Sequence, residues 1–208
     1  EAIRIGALDF LEKPIALQKL LATVKRALAN GENRAAQPLT LAVLGRTSVM
    51  TDVRRRFELL AQSGAPVLMR GEVGMVPEIY ARALQKPNTP FVVAGSALGE
   101  APNELLQRAA GGILFMDDLF TMSRAQLRGA SMIAPRAERQ NVRLVTFASS
   151  DPASLAANGS IDPGAVFKLS SVIVSIPPLR MHAEDVPELA SILLAQLVEN
   201  RMTTPKRF

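Results

Sequence analysis

Five short apolar runs, each set off from the next by a stretch with helical spacing or turn residues, most limit how this chain can fold. They lie at 66–69 (Pro66-Val-Leu-Met69), 91–94, 113–116 (Ile113-Leu-Phe-Met116), 143–147 and 172–176. Runs of this length bounded by breakers read as buried strands. Between the first two, a helix is expected from about 77 to 85. Ahead of the first, Met50, Val53, Phe57, Leu60 and Ala61 keep helical spacing until Ser63-Gly64 stops it. Strands that alternate with helical stretches predict an α/β fold with a mostly parallel, helix-covered sheet.

The first forty residues read differently. A short strand is expected at 8–11, and after Lys13-Pro14 the residues Leu17, Leu20, Leu21, Val24 and Leu28 follow helical spacing to Asn30-Gly31. Residues 29–38 then lose periodicity and gain polar and breaker residues, as a linker does. The expected organisation is an end piece of one domain over 1–30, a linker over 31–38, an α/β core over 39–182 and the start of a helical subdomain over 183–208.

With 48% apolar and 21% charged residues and a mean hydropathy of +0.16, the 208 residues can bury a real core. No apolar run approaches the roughly 20 residues that span a bilayer, so a soluble protein is expected. Without cysteine and with the single histidine His182, disulfides, thiolate metal sites and histidine-rich sites are excluded. Cysteine-free composition fits a cytoplasmic location. The net charge of +5 comes partly from groups such as Arg54-Arg55-Arg56, but with aromatics at 4% a solvated helix face is the better reading than a single-strand platform. The chain opens on Glu1-Ala-Ile-Arg, with no basic segment ahead of an apolar one, which reads as part of something longer and not as a secreted precursor.

Residues 71–78, Gly-Glu-Val-Gly-Met-Val-Pro-Glu, stand between the first strand and the next helix, where a phosphate-binding loop G-x-x-x-x-G-K-[ST] belongs. Gly71, Glu72, Gly74 and Glu78 mark it, but Val76 replaces the second glycine and Pro77 the lysine. Such a loop points backbone N–H groups at phosphates and adds an ammonium. Val76 brings a Cβ to the close approach; Pro77 removes the ammonium and one N–H. Proline suits a first helical turn, so strand-loop-helix geometry survives.

About 40 residues after Gly74, the run 111–118 (Gly-Gly-Ile-Leu-Phe-Met-Asp-Asp) delivers Asp117 and Asp118 at the carboxyl end of a strand, where open α/β sheets bind ligands. Two readings stand: a pair that holds Mg²⁺ through water and activates the attacking water, or an ordinary turn or helix cap. His182 lacks a nearby nucleophile and is read as a solvated histidine near a helix start. Ser149-Ser150-Asp151 has neither base nor elbow and reads as a loop. Met69, Met116 and Met132 read as core or gap filling.

With those residues in place, the chain resembles bacterial response regulators of the NtrC/NtrX type, in which a receiver domain is joined to a sigma-54-interacting AAA+ domain. Gly6-Ala-Leu-Asp-Phe-Leu-Glu-Lys-Pro14 resembles the end of a receiver, where Lys13 implies the lysine that contacts a phosphorylated aspartate further upstream. Leu44-Gly-Arg-Thr-Ser48, Val67-Leu-Met-Arg-Gly-Glu-Val-Gly74, Pro90-Phe-Val-Val93, Gly111 to Asp118, Val142-Arg-Leu-Val145 and Pro177-Pro-Leu-Arg180 follow in the family's order. The resemblance implies the parallel αβα sandwich of P-loop AAA+ domains, preceded by the last strand and helix of a flavodoxin-like receiver.

The departures carry as much. The family's long excursion with Gly-Ala-Phe-Thr-Gly-Ala, which touches the sigma factor, is missing after Leu98. The sensor asparagine falls on Ser149, and the two finger arginines fall on Asp162 and Lys168. Asp118 stands for the catalytic glutamate. An arginine finger alone is worth about 10³ to 10⁵ in rate in related phosphoryl transfer. The expectation is therefore a phosphorelay regulator that is not a working ATPase and does not remodel sigma-54 polymerase, with ATP or ADP and Mg²⁺ at most weakly held and no metal site assigned. The implied partners are a sensor histidine kinase through the upstream receiver, DNA through a C-terminal helix-turn-helix outside this chain, and further copies of itself, with no membrane. Two alternatives stay open: a family-type ATPase that activates sigma-54 transcription, and a nucleotide sensor using Gly71, Gly74 and the helix N-terminus as an anion site.

Overall fold

The computed structural model describes residues 40–199. The strand expected at 8–11, the helix over 17–28, Lys13 and the linker at 29–38 lie outside the described residues. Residues 39–189 form one compact unit; the other unit comprises 1–38 and 190–208.

Within the first unit a 3₁₀ turn (Leu41–Val43) precedes helix α1 (Ser48–Gln62) and strand β1 (Val67–Arg70). Helix α2 (Pro77–Arg82) leads to β2 (Phe91–Val93), the short helices α3 (Ala97–Glu100) and α4 (Pro102–Arg108), and β3 (Ile113–Met116). Helix α5 (Arg124–Ala137), β4 (Arg143–Ala148), α6 (Ala153–Ala157), α7 (Pro163–Leu169) and β5 (Val172–Ser175) follow. A 3₁₀ stretch (Leu179–Asp185) then runs into α8 (Val186–Glu199), whose residues through Leu189 belong to this unit. All five expected strands form, within a residue or so of the apolar runs. Helix α2 stops at Arg82, three residues short of expectation, with Ala83 as its C-cap.

The five strands make one parallel sheet in the order β2-β3-β4-β1-β5. Side chains alternate across it with period two. Leu68, Leu114, Met116, Leu144 and Ala148 face the core under α3 to α7, whereas Val67, Met69, Ile113, Phe115, Val145, Phe147 and Val174 face the core under α1 and α2. A strand covered on both faces must be apolar throughout, and every residue of β3 is buried. Met69 and Met116 are core residues as expected. Met132 is not: it stands 43% exposed on the outer face of α5, because the inner face is taken by Leu127, Ala130, Ile133, Ala134 and Ala137.

Local chemistry sets the helix limits. Thr47 accepts from the Met50 N–H to begin α1, which buries Met50, Val53 and Phe57. Helix α5 opens with a reciprocal capping box: Ser123 Oγ accepts from the Gln126 N–H at 3.2 Å, and Gln126 Oε1 accepts from the Ser123 N–H at 2.8 Å. Gly129 then lets α5 lie against the backbone of α3, since a Cβ there would overlap the Leu98 carbonyl oxygen and stand 2.9 Å from its carbon. From β2 to β3 the chain passes directly from α3 to α4 through Ala101, with Pro102 at the first turn of α4.

Candidate functional site

In this strand order the carboxyl ends of β1 and β3 flank that of β4, and three connections meet there. The Gly71 N–H donates to the Ala148 carbonyl at 3.4 Å, tying the loop after β1 to the end of β4. The Ser149 N–H donates to Asp118 Oδ1 at 3.0 Å, tying the end of β4 to the end of β3. Gly71, Asp118 and Ser149 are thus brought together as parts of one site.

The β1 loop is turned by Gly74, whose φ of +94° is one that side-chain-bearing residues rarely adopt, and by a Met75 N–H donating to the Glu72 carbonyl at 3.4 Å. Met75 packs across the loop. A Cβ added at Gly71 would lie 2.5 Å from the Met75 sulfur and 3.2 Å from the Phe147 ring, and Met75 also packs against the core cluster on the α1 side of the sheet. The space between the two ends of the loop is filled by a thioether. Val76 is the N-cap of α2, makes no side-chain cap and is exposed; Pro77, buried at the first turn, has no N–H. Glu78 points instead to Arg82, its carboxylate 2.6 Å from the guanidinium, and Arg82 lies 4.2 Å over the Phe91 ring.

Glu72 is engaged from the other side of the sheet sequence. Arg180 Nη1, in the Pro177-Pro-Leu-Arg motif after β5, donates to Glu72 Oε2 at 2.6 Å. That hydrogen bond and the charge of Arg180 hold the Glu72 carboxyl below its ordinary range. Both side chains remain largely exposed.

The two carboxylates after β3 have separate fates. Asp117 is exposed, and its Oδ1 accepts from the Asp118 N–H at 2.8 Å. Asp118 is buried; besides Ser149, its Oδ1 accepts from the Phe120 N–H at 3.1 Å and so caps the 3₁₀ turn Leu119–Thr121. Asp118 Oδ1 thus serves both as a cap for the turn that follows it and as a tie to the end of β4.

Asp162 and Lys168 bracket α7. Asp162 Oδ1 accepts from the Ala165 N–H at 3.0 Å as N-cap, and its own N–H donates to Ser131 Oγ at 3.3 Å. Lys168, exposed in the last turn, lines a cavity of about 560 Å³ with Pro66, Lys86, Gly112 and Arg143. Pro66, Gly112 and Arg143 mark the amino ends of β1, β3 and β4, the end of the sheet away from the β1 loop, so Lys168 does not join the site.

His182 corrects the expectation of a solvated histidine. It is buried, with Nδ1 3.2 Å from Asp185 Oδ2. Asp185, also buried, gathers the lead-in loop before α1: Oδ1 accepts from the N–H groups of Arg46 at 2.7 Å and Thr47 at 3.3 Å, and Oδ2 from Thr47 Oγ1 at 2.8 Å. Burial pushes its carboxyl upward, but the hydrogen bonds from Arg46, Thr47 and His182 outweigh it and hold it below the ordinary range. The Arg46 guanidinium pairs with Glu188 at 2.7 Å. Sequence reasoning missed this clamp, because Asp185 lies some 140 residues from Thr47 and carries no local motif.

A five-stranded parallel sheet in this order, with the β1 loop feeding a helix and acidic residues closing β3, defines an α/β domain with the P-loop AAA+ type of fold. The chain belongs to the sigma-54 interaction domain family, which matches residues 44–179. It is 30% identical to the response regulator protein PilR of Pseudomonas aeruginosa, over 95% of this chain and 52% of that protein. It is 27% identical to the DNA-binding transcriptional regulator NtrC of Bradyrhizobium, over 88% and 47% respectively. A crystal structure of NtrX from Brucella abortus in complex with ADP superposes with a TM-score of 0.65 at 24% identity, over all of this chain and 53% of that one, a likeness of fold. The chain spans about half the length of the curated relatives it matches. Among the described residues no helix is long and apolar enough to cross a membrane.

Proposed function

We propose that this chain is part of a cytoplasmic transcriptional regulator of a two-component phosphorelay, in which the AAA+ domain serves as a structural and oligomerisation module with ATP hydrolysis lost or weakened. The observation that carries the reading is the β1 loop, where the Met75 thioether packs onto Gly71, Pro77 supplies neither ammonium nor N–H, and Val76 leaves α2 uncapped. These residues do not fit a magnesium triphosphate. A six-residue helix whose first residue, Pro77, has no N–H to donate also offers little to an anion, which weighs against the nucleotide-sensor alternative. Asp118 engaged as a cap and Asp162 as the N-cap of α7 point the same way, since neither carboxylate supplies what a finger or a water-positioning group must.

The direct passage from α3 to α4 supports a domain without the family's sigma-contacting excursion. A sensor histidine kinase acting on the upstream receiver, at a site completed by Lys13, DNA held by a helix-turn-helix and association with further copies belong to the same reading. The alternative, an ATP-hydrolysing activator of sigma-54 transcription, draws on the NtrX structure named with ADP. Titration with a fluorescent ATP analogue and Mg²⁺ to millimolar concentration separates them, run beside V76G/P77K and M75A/V76G/P77K variants. Silence from the native chain with binding by a restored variant is the expected result. Micromolar binding or turnover by the native chain overturns the proposal.

A further inference from the structure

The outer face of α5 carries Arg124, Arg128 and Arg136, continued by Arg139 in the 3₁₀ turn that follows, and all four are exposed. Their spacing places them over about a third of the helix circumference, opposite the buried Leu127, Ala130, Ile133, Ala134 and Ala137. Four other arginines of the domain are paired with carboxylates: Arg46 with Glu188, Arg55 with Asp52, Arg82 with Glu78, Arg180 with Glu72. The α5 arginines are not. Arg128 Nε donates to the Arg124 carbonyl at 3.3 Å and Arg136 Nη1 to Asn103 Oδ1 at 3.0 Å, and among the described residues none of the four pairs with a carboxylate. Four guanidinium groups against the single Glu138 gather a strip of positive charge on one face of one helix.

We propose that this face of α5 binds the phosphate backbone of duplex DNA, without reading sequence. At about 1.5 Å per residue, Arg124 to Arg139 spans roughly 22 Å, a length over which a duplex presents about 13 phosphates at one per 1.7 Å. Guanidinium forks suit phosphate oxygens. The face also lacks what other polyanions require. A single strand needs aromatic platforms, and a membrane surface needs large interleaved apolar side chains; here Met132 is the one large apolar side chain among the arginines, beside the small Ala125 and Pro135. A protein interface wants an apolar centre, which one methionine does not make. The choice of DNA rests on the regulatory reading above, whereas the charge on α5 does not depend on the state of the β1 loop.

The test is fluorescence anisotropy of a labelled duplex of arbitrary sequence with the 208-residue chain, over a salt series. Basic residues elsewhere in the chain add a background, so the informative quantity is a difference. R124Q/R128Q/R136Q/R139Q should weaken binding at least tenfold at low salt and flatten the slope of log K against log salt by about 3 to 4, at about 0.9 per phosphate contact. R55Q/R56Q, on α1, should change neither by comparison. Circular dichroism checks the fold; should the fourfold variant melt, R124Q/R128Q, whose side chains make no hydrogen bond or ion pair to another element among the described residues, should flatten the slope by about half as much. Unchanged binding by the α5 variant, an equal loss in R55Q/R56Q, or preference for phosphatidylglycerol vesicles or single strands over duplex each overturns the proposal. Nucleotide binding by the β1 loop would leave these slopes as they are, so the two readings fail separately.

Discussion

Replacing Gly129 by Ala sets two effects of opposite sign against each other. On helix propensity alone the change stabilises α5 by about 1 kcal/mol, since glycine is that much poorer than alanine inside a helix. The packing opposes it. The new methyl would overlap the Leu98 carbonyl oxygen and stand 2.9 Å from its carbon, whereas carbon atoms pack best at about 3.5 to 4.0 Å. Both atoms are backbone, so no side-chain rotation relieves the overlap, and because the carbonyl oxygen is the tighter contact α3 must withdraw from α5 by about 1 Å or more. A gap of that size forfeits about a quarter to a half of each contact across it, including those of the fully buried Leu98 and Ala130. Overpacking typically costs about 1 to 3 kcal/mol, and an overlap with backbone atoms this close stands at the upper end, about 3 kcal/mol, leaving a net loss of about 2 kcal/mol. For a domain of this size that lowers Tm by about 3 to 10 °C, measurable by thermal circular dichroism. Gly64→Ala is the control: no atom lies within 4 Å of its Cβ, so Tm should hold or rise slightly. A G129A protein as stable as the parent, or more so, would show that propensity wins and that the close approach of α3 and α5 is wrongly drawn.

Tyr80 is the sole tyrosine, and burial pushes its phenol up to about 12. Ultraviolet titration should show no ionisation near pH 10 until the protein is denatured. Because the folded pKa is raised, the associated stability is present below the unfolded value near 10 and is lost as pH climbs toward 12; a native midpoint near 10 would refute the burial. Asp185 has the opposite sign. With its folded pKa depressed, its stabilisation is full above the ordinary carboxylate range near pH 4 and is lost as pH falls through the folded value, so D185N should lower Tm at neutral pH and flatten the fall of Tm in acid. Equal acid profiles for D185N and parent would remove Asp185 as the clamp. Ser123→Ala breaks the capping box and should cost about 1 kcal/mol in a urea melt with an unchanged m value; no loss would mean that α5 starts on packing alone.

The strands were readable because parallel strands covered on both faces leave no room for polar residues, so the sheet wrote itself into the chain as apolar runs such as Ile113 to Met116. The strand-loop-helix turn at Gly71 to Pro77 was readable for a similar reason, since Gly74 takes a φ that the turn demands and Pro77 suits a first helical turn. What local pattern could not supply was the partner of a polar side chain. His182 looked solvent-bound because Asp185 was not known to be turned toward Thr47, and Arg180 gave no sign of meeting Glu72 across more than 100 residues. Met132 was misplaced because hydrophobicity was read without phase: one turn either side of it, Arg128 and Arg136 share its exposed face.

Met75 shows how a site can change its chemistry while its fold persists. Nothing in the sheet requires the β1 loop to be open; the register of β1 against β4 and β5 is set by strand residues that end at Arg70, and the Gly71 N–H is satisfied by Ala148 whatever lies above it. A cradle for phosphate must instead keep polar N–H groups uncovered, which is costly unless a ligand satisfies them. With Pro77 at the lysine position and Val76 at the second glycine, an apolar side chain drawn across the loop covers no ammonium and packs against the core beneath. On the proposed reading, the residues that weaken the nucleotide site are also those that make its closure by Met75 favourable. On this argument M75A alone should not reopen binding, whereas M75A/V76G/P77K should bind the ATP analogue more tightly than V76G/P77K. Equal affinity of the two restored variants in the ATP-analogue titration would show that the thioether yields freely and that proline and valine alone shut the site.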